Sequence, residues 1–279
     1  MRHFRTLISG VLALSAGIYA STATAQDLKA QFLAPLDFKP VSFEPEVKDS
    51  IGTFTSLANK TFKPSGNGPF PAVVLMHTCG GVRNPHIKQH AQELLKAGYV
   101  VLVVDSFEPR GVQNCATRIV SGSAGVADAY AALAFLAAKP FVDKSRIYQV
   151  GYSWGAIVST MLASPQSATI VGSSLRFAAT VSNYSNCSYQ DKYQLVLRDS
   201  DRPFLMLMGD QDQELPSANC FPLLTDMKTQ GSPVEWFIFP GATHSWDKPS
   251  QPDRGYVYNE RVAEEATAKM LEFLARPRQ

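Results

Sequence analysis

From Ala72 onward the chain alternates short apolar runs with longer stretches of helical character, and this alternation leaves few architectures open. Ala72-Val73-Val74-Leu75-Met76 is apolar without a break, as expected of a strand buried on both faces. Tyr99-Val100-Val101-Leu102-Val103-Val104 repeats the pattern with more β-branched residues. Further strands are expected over 146–150, 177–181, 204–208 and 234–239. Helices are expected over 85–97, ended by Gly98, and over 126–138, stopped by Pro140. Others are expected over 154–163, ended near Pro165, around 218–230, and over 257–275. Repeated strand–helix units of this kind predict a mostly parallel central sheet with helices on both faces. Residues 51–63 alternate weakly and run into Lys63-Pro64-Ser65-Gly66-Asn67-Gly68-Pro69, which reads as an edge hairpin followed by a turn cluster. No repeat or linker divides residues 51–279, which are expected to form one α/β domain, with residues 26–50 as an irregular arm packed on it.

The chain opens with Arg2 and Arg5, runs apolar from Leu7 to Ala20, and reaches the small-x-small triplet Ala23-Thr24-Ala25. This reads as a cleaved signal peptide over residues 1–25 and an exported, periplasmic or secreted protein. Once its polar ends are discounted, the apolar stretch is about half of the ~20 residues a spanning helix needs, so no stable membrane insertion is expected. Removing 25 of 279 residues takes two Arg and no acid, leaving 24 basic against 24 acidic side chains. A neutral chain carries no electrostatic signature of nucleic acid or an anionic membrane as partner. There is no HExxH, no GxxxxGK followed by Ser or Thr, and no carboxylate cluster at ligand spacing, so neither a metal nor a nucleotide cofactor is expected. Four cysteines, Cys79, Cys115, Cys187 and Cys220, lie in no CxxC pattern; in an oxidising compartment an even count favours two disulfides, with three connectivities open.

Chemistry is concentrated where strand 146–150 meets helix 154–163. Between them lies Gly151-Tyr152-Ser153-Trp154-Gly155, the one GxSxG of the chain, in the strand–turn–helix setting that lifts a serine above the carboxyl edge of a sheet. A serine hydroxyl needs a base to act as a nucleophile at neutral pH. Of five histidines, His3 lies in the leader, His86 and His90 on a surface-like helix, and His77 at a strand end, where it is expected to prop a loop. His244 follows the last core strand in Pro240-Gly241-Ala242-Thr243-His244 and is the candidate base. The carboxylate that orients it is sought in Gly209-Asp210-Gln211-Asp212-Gln213-Glu214, with Asp212 preferred to Asp210 and Glu214 third. The order Ser153, Asp212, His244 is that of the α/β-hydrolases. Oxyanion donors are expected from the amide of Trp154 and from His77-Thr78-Cys79-Gly80-Gly81, with the Cys79 amide preferred to that of Thr78.

Over residues 70–275 these landmarks resemble the dienelactone hydrolase family of α/β-hydrolases. The resemblance rests on Gly80-Gly81, Ala97-Gly98-Tyr99 with Val104-Asp105, the GxSxG, Gly209-Asp210-Gln211-Asp212, Pro240 to His244, and Asn259-Glu260-Arg261. It implies the same acid, Asp212, and the same base, His244. Well-known members carry a cysteine nucleophile where this chain has Ser153, and their loop acid falls near Thr78. These departures move the expectation from the dienelactone reaction itself to general serine esterase chemistry on a small ester or lactone. Exported relatives with a cysteine in the glycine loop look similar, which implies a Cys79–Cys115 bridge; Cys187 and Cys220 each follow a strand near the sheet edge and make the second pair. Only about twenty residues separate the strand ending near Val181 from the next, too few for a separate lid domain. Thr78, Arg110 and Trp246 are candidate substrate contacts, and Arg118 and Lys248 also lie in loops able to reach the site. Peptidase or amidase chemistry on the same fold, and a non-catalytic binding protein on a hydrolase scaffold, are the rival readings.

Overall fold

A computed structural model describes residues 39–52, 56–115, 120–189, 193–249 and 255–277, with the side chains of 189 and 193 left aside. The leader over 1–25, the first part of the arm and Arg118 lie outside the described residues. Strands β1 (Val47–Lys48), β2 (Lys60–Phe62), β3 (Phe70–Met76), β4 (Val100–Val104), β5 (Val142–Tyr152) and β6 (Thr180–Asn183) are followed by the short β7 (Ser188–Tyr189) and β8 (Tyr193–Gln194). Then come β9 (Phe204–Gly209) and β10 (Val234–Phe239). Eight strands form one sheet in the order β1-β2-β4-β3-β5-β6-β9-β10, and β7 pairs with β8 apart from it. From β4 to β10 every neighbour pair is parallel. This is the α/β-hydrolase fold, a mostly parallel sheet flanked by helices.

The apolar runs form central strands because both their faces are covered. Ala72 to Met76 and Val100 to Val104 are all fully buried, and each large side chain so placed contributes about 1.5–3 kcal/mol of burial. Odd-numbered residues of β3 and β4 (Val73, Leu75, Val101, Val103) face one core with helices α1 (Pro85–Lys96) and α6 (Glu260–Ala275). Even-numbered residues (Val74, Met76, Leu102, Val104) face another with α2 (Gly122–Ala137) and α3 (Trp154–Leu162). Helix α4 (Pro165–Val171) joins that second face, and α5 (Phe221–Thr229) covers β9 and β10.

Three local expectations are corrected. Among the described residues of 51–63 the expected edge hairpin gives way to β2, which runs parallel to β1 and pairs antiparallel with β4. The arm is therefore not wholly irregular, since β1 extends the sheet and Val41 N donates to Asp128 Oδ1 (2.9 Å). Pro165 does not merely stop a helix. Ser164 accepts from Gln166 N (3.1 Å) as an N-cap, and Pro165 opens α4 at a position where a missing amide hydrogen costs nothing.

Both disulfides have the pairing drawn from the sequence: Cys79–Cys115 and Cys187–Cys220, each with a Cα–Cα distance of 5.1 Å. They fit an oxidising compartment outside the cytoplasm. No helix among the described residues is long and apolar enough to cross a membrane.

Candidate active site

Because the central strands are parallel, their carboxyl ends open onto one edge, where ligands of such sheets bind. The loops after β3, β5, β9 and β10 therefore gather there. Met76 lies opposite Gly151, so the stretches 77–79 and 152–154 emerge side by side. Gly209 lies opposite Phe239, which brings the acidic loop alongside the loop of His244.

The turn carrying Ser153 is forced by contacts on both sides. A Cβ on Gly151 would lie 2.0 Å from the Gly155 carbonyl oxygen, and a Cβ on Gly155 only 2.6 Å from that of Met76. Glycine at both positions lets the start of α3 press against β3, where Gly155 N donates to His77 O (3.0 Å). Ser153 takes φ 51° and ψ −110°, a left-handed conformation that L-residues rarely adopt. Ser153 N donates to Asn183 O (3.1 Å), Asn183 Nδ2 to Gly151 O (3.2 Å), and Ile157 N to Ser153 O (3.0 Å). The surrounding structure thus over-determines the strained residue.

Ser153 Oγ lies 2.8 Å from His244 Nε2, and His244 Nδ1 lies 2.8 Å from Asp212 Oδ2. All three side chains are buried, at 4%, 2% and 5% exposure, so their hydrogen bonds escape competition from water. Asp212 Oδ1 accepts from the amides of Glu214 (3.0 Å) and Leu215 (2.8 Å), which leaves Oδ2 to the imidazole. The other acids of the loop are engaged elsewhere. Asp210 Oδ1 accepts from Gly241 N (2.7 Å) at the surface, and the Glu214 carboxylate accepts from Tyr256 OH. Gln211 N donates to Ala242 O (3.0 Å), tying the loop of Asp212 to the loop of His244.

The loop after β3 is held by its own polar groups. Ser106 N donates to His77 Nε2 (3.2 Å), so Nδ1 carries the proton and donates to Thr78 O (2.7 Å). That neutral tautomer agrees with burial lowering the His77 pKa below its ordinary value, against the opposing pull of Asp105. The ring stacks on Trp154 at 5.3 Å, which fixes the glycine loop against the residue after Ser153. Cys115 N donates to Cys79 O (3.1 Å) beside the disulfide.

The three candidate substrate contacts each have partners within the fold. Thr78 Oγ1 accepts from Gly80 N (3.2 Å) and Asn84 Nδ2 (2.9 Å). Arg110 makes a bidentate pair with the buried Asp128 (2.8 and 2.9 Å) and also donates to the carbonyls of Ser106 and Lys39. Trp246 is 1% exposed, packed edge-on against Tyr184 and Phe239. A cavity of about 110 Å³ lined by Gly80, Gly81, Arg83, Asp105, Phe107 and Glu108 has none of Ser153, His244 and Asp212 in its wall.

Sequence reasoning also missed groups around His244. Tyr256 packs on the His244 ring at 5.2 Å while its hydroxyl reaches Glu214, so it spans His244 and the loop of Asp212. His86 and His90 are not surface residues; they are 1% and 3% exposed. They share the buried stripe of α1 with Ile87, Ala91 and Leu94, and that helical spacing was the available signal.

Residues 57–277 match the model of the dienelactone hydrolase family. A protein of Methylorubrum extorquens that carries the name carboxymethylenebutenolidase is 25% identical over 199 residues, covering 68% of this chain and 67% of that one. Esterase EstD of Thermotoga maritima is 32% identical over 161 residues, 53% of this chain and 35% of its own length. Among solved structures, Thermogutta terrifontis esterase 2 phosphonylated by cyclosarin superposes with a TM-score of 0.55 at 17% identity, over 78% of this chain and 90% of that one. The family match spans most of the sequence and every loop that builds the site: this chain belongs to the dienelactone hydrolase family.

Proposed function

We propose that the protein is an exported serine hydrolase that cleaves a small carboxylic ester or lactone through an acyl-enzyme on Ser153. One observation carries the reading: the buried chain of hydrogen bonds from Ser153 through His244 to Asp212, mounted on a strained turn. In the reaction Ser153 Oγ attacks the carbonyl carbon as His244 Nε2 takes the hydroxyl proton. Asp212 holds the Nδ1–H tautomer and stabilises the imidazolium. The tetrahedral oxyanion is met by the amides of Trp154 and Cys79, on the two stretches that leave β5 and β3 side by side. His244 then protonates the departing alcohol, and a water activated by the same base releases the acid. In a lactone the leaving alcohol stays tethered to the acyl group.

The serine at position 153, in place of a thiol, supports general ester chemistry, and two disulfides support export. Among the described residues the segment between β6 and β9 is short and carries only the strand pair β7 and β8. The test is steady-state hydrolysis of matched short-chain esters, lactones and amides by wild type and Ser153→Ala. Turnover of the oxygen esters that vanishes in the variant is expected. Amide turnover exceeding that of the matched ester would instead establish a peptidase, and no turnover by folded wild type would establish a binding protein.

A further inference from the structure

Below the base lies a buried charged cluster that the hydrolytic steps do not use. Asp247, three residues after His244, is 4% exposed, and its Oδ2 lies 2.7 Å from His90 Nε2. Tyr184 OH donates to the same oxygen (3.1 Å), and the edge of the Tyr184 ring meets His244 at 5.1 Å. His90 Nδ1 lies 3.1 Å from Glu93 Oε2, so each ring nitrogen faces a carboxylate and both must carry hydrogen. The flat face of His90 stacks on Tyr152, the residue before Ser153, at 4.1 Å and 6°. One imidazolium on α1 thus touches both the strand that delivers the nucleophile and the loop that delivers the base.

We propose that His90 is a positioning residue: protonated, it grips Asp247 while its ring rests on Tyr152, and so keeps His244 and Ser153 at bonding distance. This inference rests on Ser153 and His244 acting as nucleophile and base. A buried ion pair is a costly way to add stability alone, since well-packed apolar residues often do as well. What it supplies here is direction, because the hydrogen bonds of His90 and Tyr184 fix Oδ2 of Asp247 where an apolar contact would let the loop slide.

The groups facing His90 are Glu93 and His86 from its own helix, Asp247 from the base loop, Tyr152 from β5 and Tyr184 after β6. Burial works against charge on His90, yet the hydrogen bonds with Asp247 and Glu93 outweigh it and hold its pKa at about 9. Burial instead lowers His86 to about 4, so that ring stays neutral, and it raises both tyrosines well above their ordinary value. For Asp247 the burial penalty is overcome by the bond with His90, and its pKa falls below the usual carboxylate value. Since the folded His90 pKa lies above its ordinary 6.5, the grip is complete below about 6.5 and is lost as pH rises through about 9. On the acid side Asp247 keeps its charge until pH falls below the usual carboxylate range.

The experiment compares wild type, His90→Gln and the neutral pair His90→Gln/Asp247→Asn. It measures kcat and KM for ester hydrolysis, and the rate of fluorophosphonate labelling of Ser153, from pH 6 to 10.5. A displacement of the base by about 1 Å costs on the order of a hundredfold in rate. His90→Gln is therefore expected to lose ten- to a hundredfold in kcat at pH 7, with KM within about twofold. Wild type is expected to lose activity above about pH 9. The neutral pair, which restores the hydrogen bond without a buried charge, is expected to recover most of the kcat and to lack that alkaline limb. If His90→Gln alone does not fold, the neutral pair carries the test. Wild-type kcat with an unchanged alkaline limb in either variant, or a folded neutral pair with no recovery, overturns the proposal. Wild type that labels Ser153 at no pH overturns the hydrolase reading instead.

Discussion

Ser153→Gly and Ser153→Ala both remove the proposed nucleophile, yet they should part in stability, and the sign of the difference tests the turn. Both variants lose the hydrogen bond to His244, so that loss cancels between them. Alanine keeps a Cβ and with it the cost of φ 51°, ψ −110°; such conformations cost about 1–3 kcal/mol for a residue other than glycine. Glycine relieves that cost and adds about 0.5–1 kcal/mol of backbone entropy lost on folding. The balance favours Ser153→Gly by about 1 kcal/mol, or roughly 2–4 °C in Tm for a chain of this size. At an ordinary helical position the same comparison runs the other way, with glycine the less stable. Urea denaturation and calorimetry on the two inactive variants give the difference directly. If Ser153→Gly proves less stable than Ser153→Ala, the turn carrying Ser153 is unstrained.

Two further outcomes separate roles that lie close together in the structure. Asp212→Asn should lower kcat by about 10⁴, as loss of a triad acid does elsewhere, whereas Asp210→Asn should change it only a few-fold, because Asp210 closes a surface turn with Gly241 N; steady-state kinetics on one ester decides, and the reverse ranking would move the acid. Arg110→Ala should cost about 3–5 kcal/mol of stability by leaving the buried Asp128 unpaired, with KM of the folded fraction within about twofold; a large rise in KM with an unchanged melting temperature would restore Arg110 as a substrate contact.

The central strands were readable because a parallel sheet covered on both faces demands unbroken apolar runs, and Ala72–Met76 and Val100–Val104 are such runs. Ser153, Asp212 and His244 could be nominated together because each follows the carboxyl end of one of those strands, and chain order then restricts the roles. What remained hidden depended on tertiary contact. Helix α2 begins at Gly122, four residues before the expected start, although Gly122 and Gly125 are poor helix formers. A Cβ on Gly125 would lie 2.5 Å from Val158 Cγ2, so the glycine serves close packing of α2 on α3, which local propensity does not register. The Ser164-Pro165 step reads as a stop along the sequence, yet the same pair also starts a helix. His90 lies on a helix that reads as surface-like, and its partner Asp247 stands 157 positions away, so no local pattern shows the contact. Thr78, Arg110 and Trp246 lie near the site along the chain, but their side chains satisfy the loops that support it.

The proposed hydrolysis requires Ser153 to be an activated nucleophile. The decisive measurement is intact-protein mass spectrometry after incubation with a fluorophosphonate, followed by tryptic mapping. One adduct is expected, on Ser153, formed by folded wild type and absent from Ser153→Ala. Folded wild type that takes up no adduct, or that carries it on another residue, would contradict it.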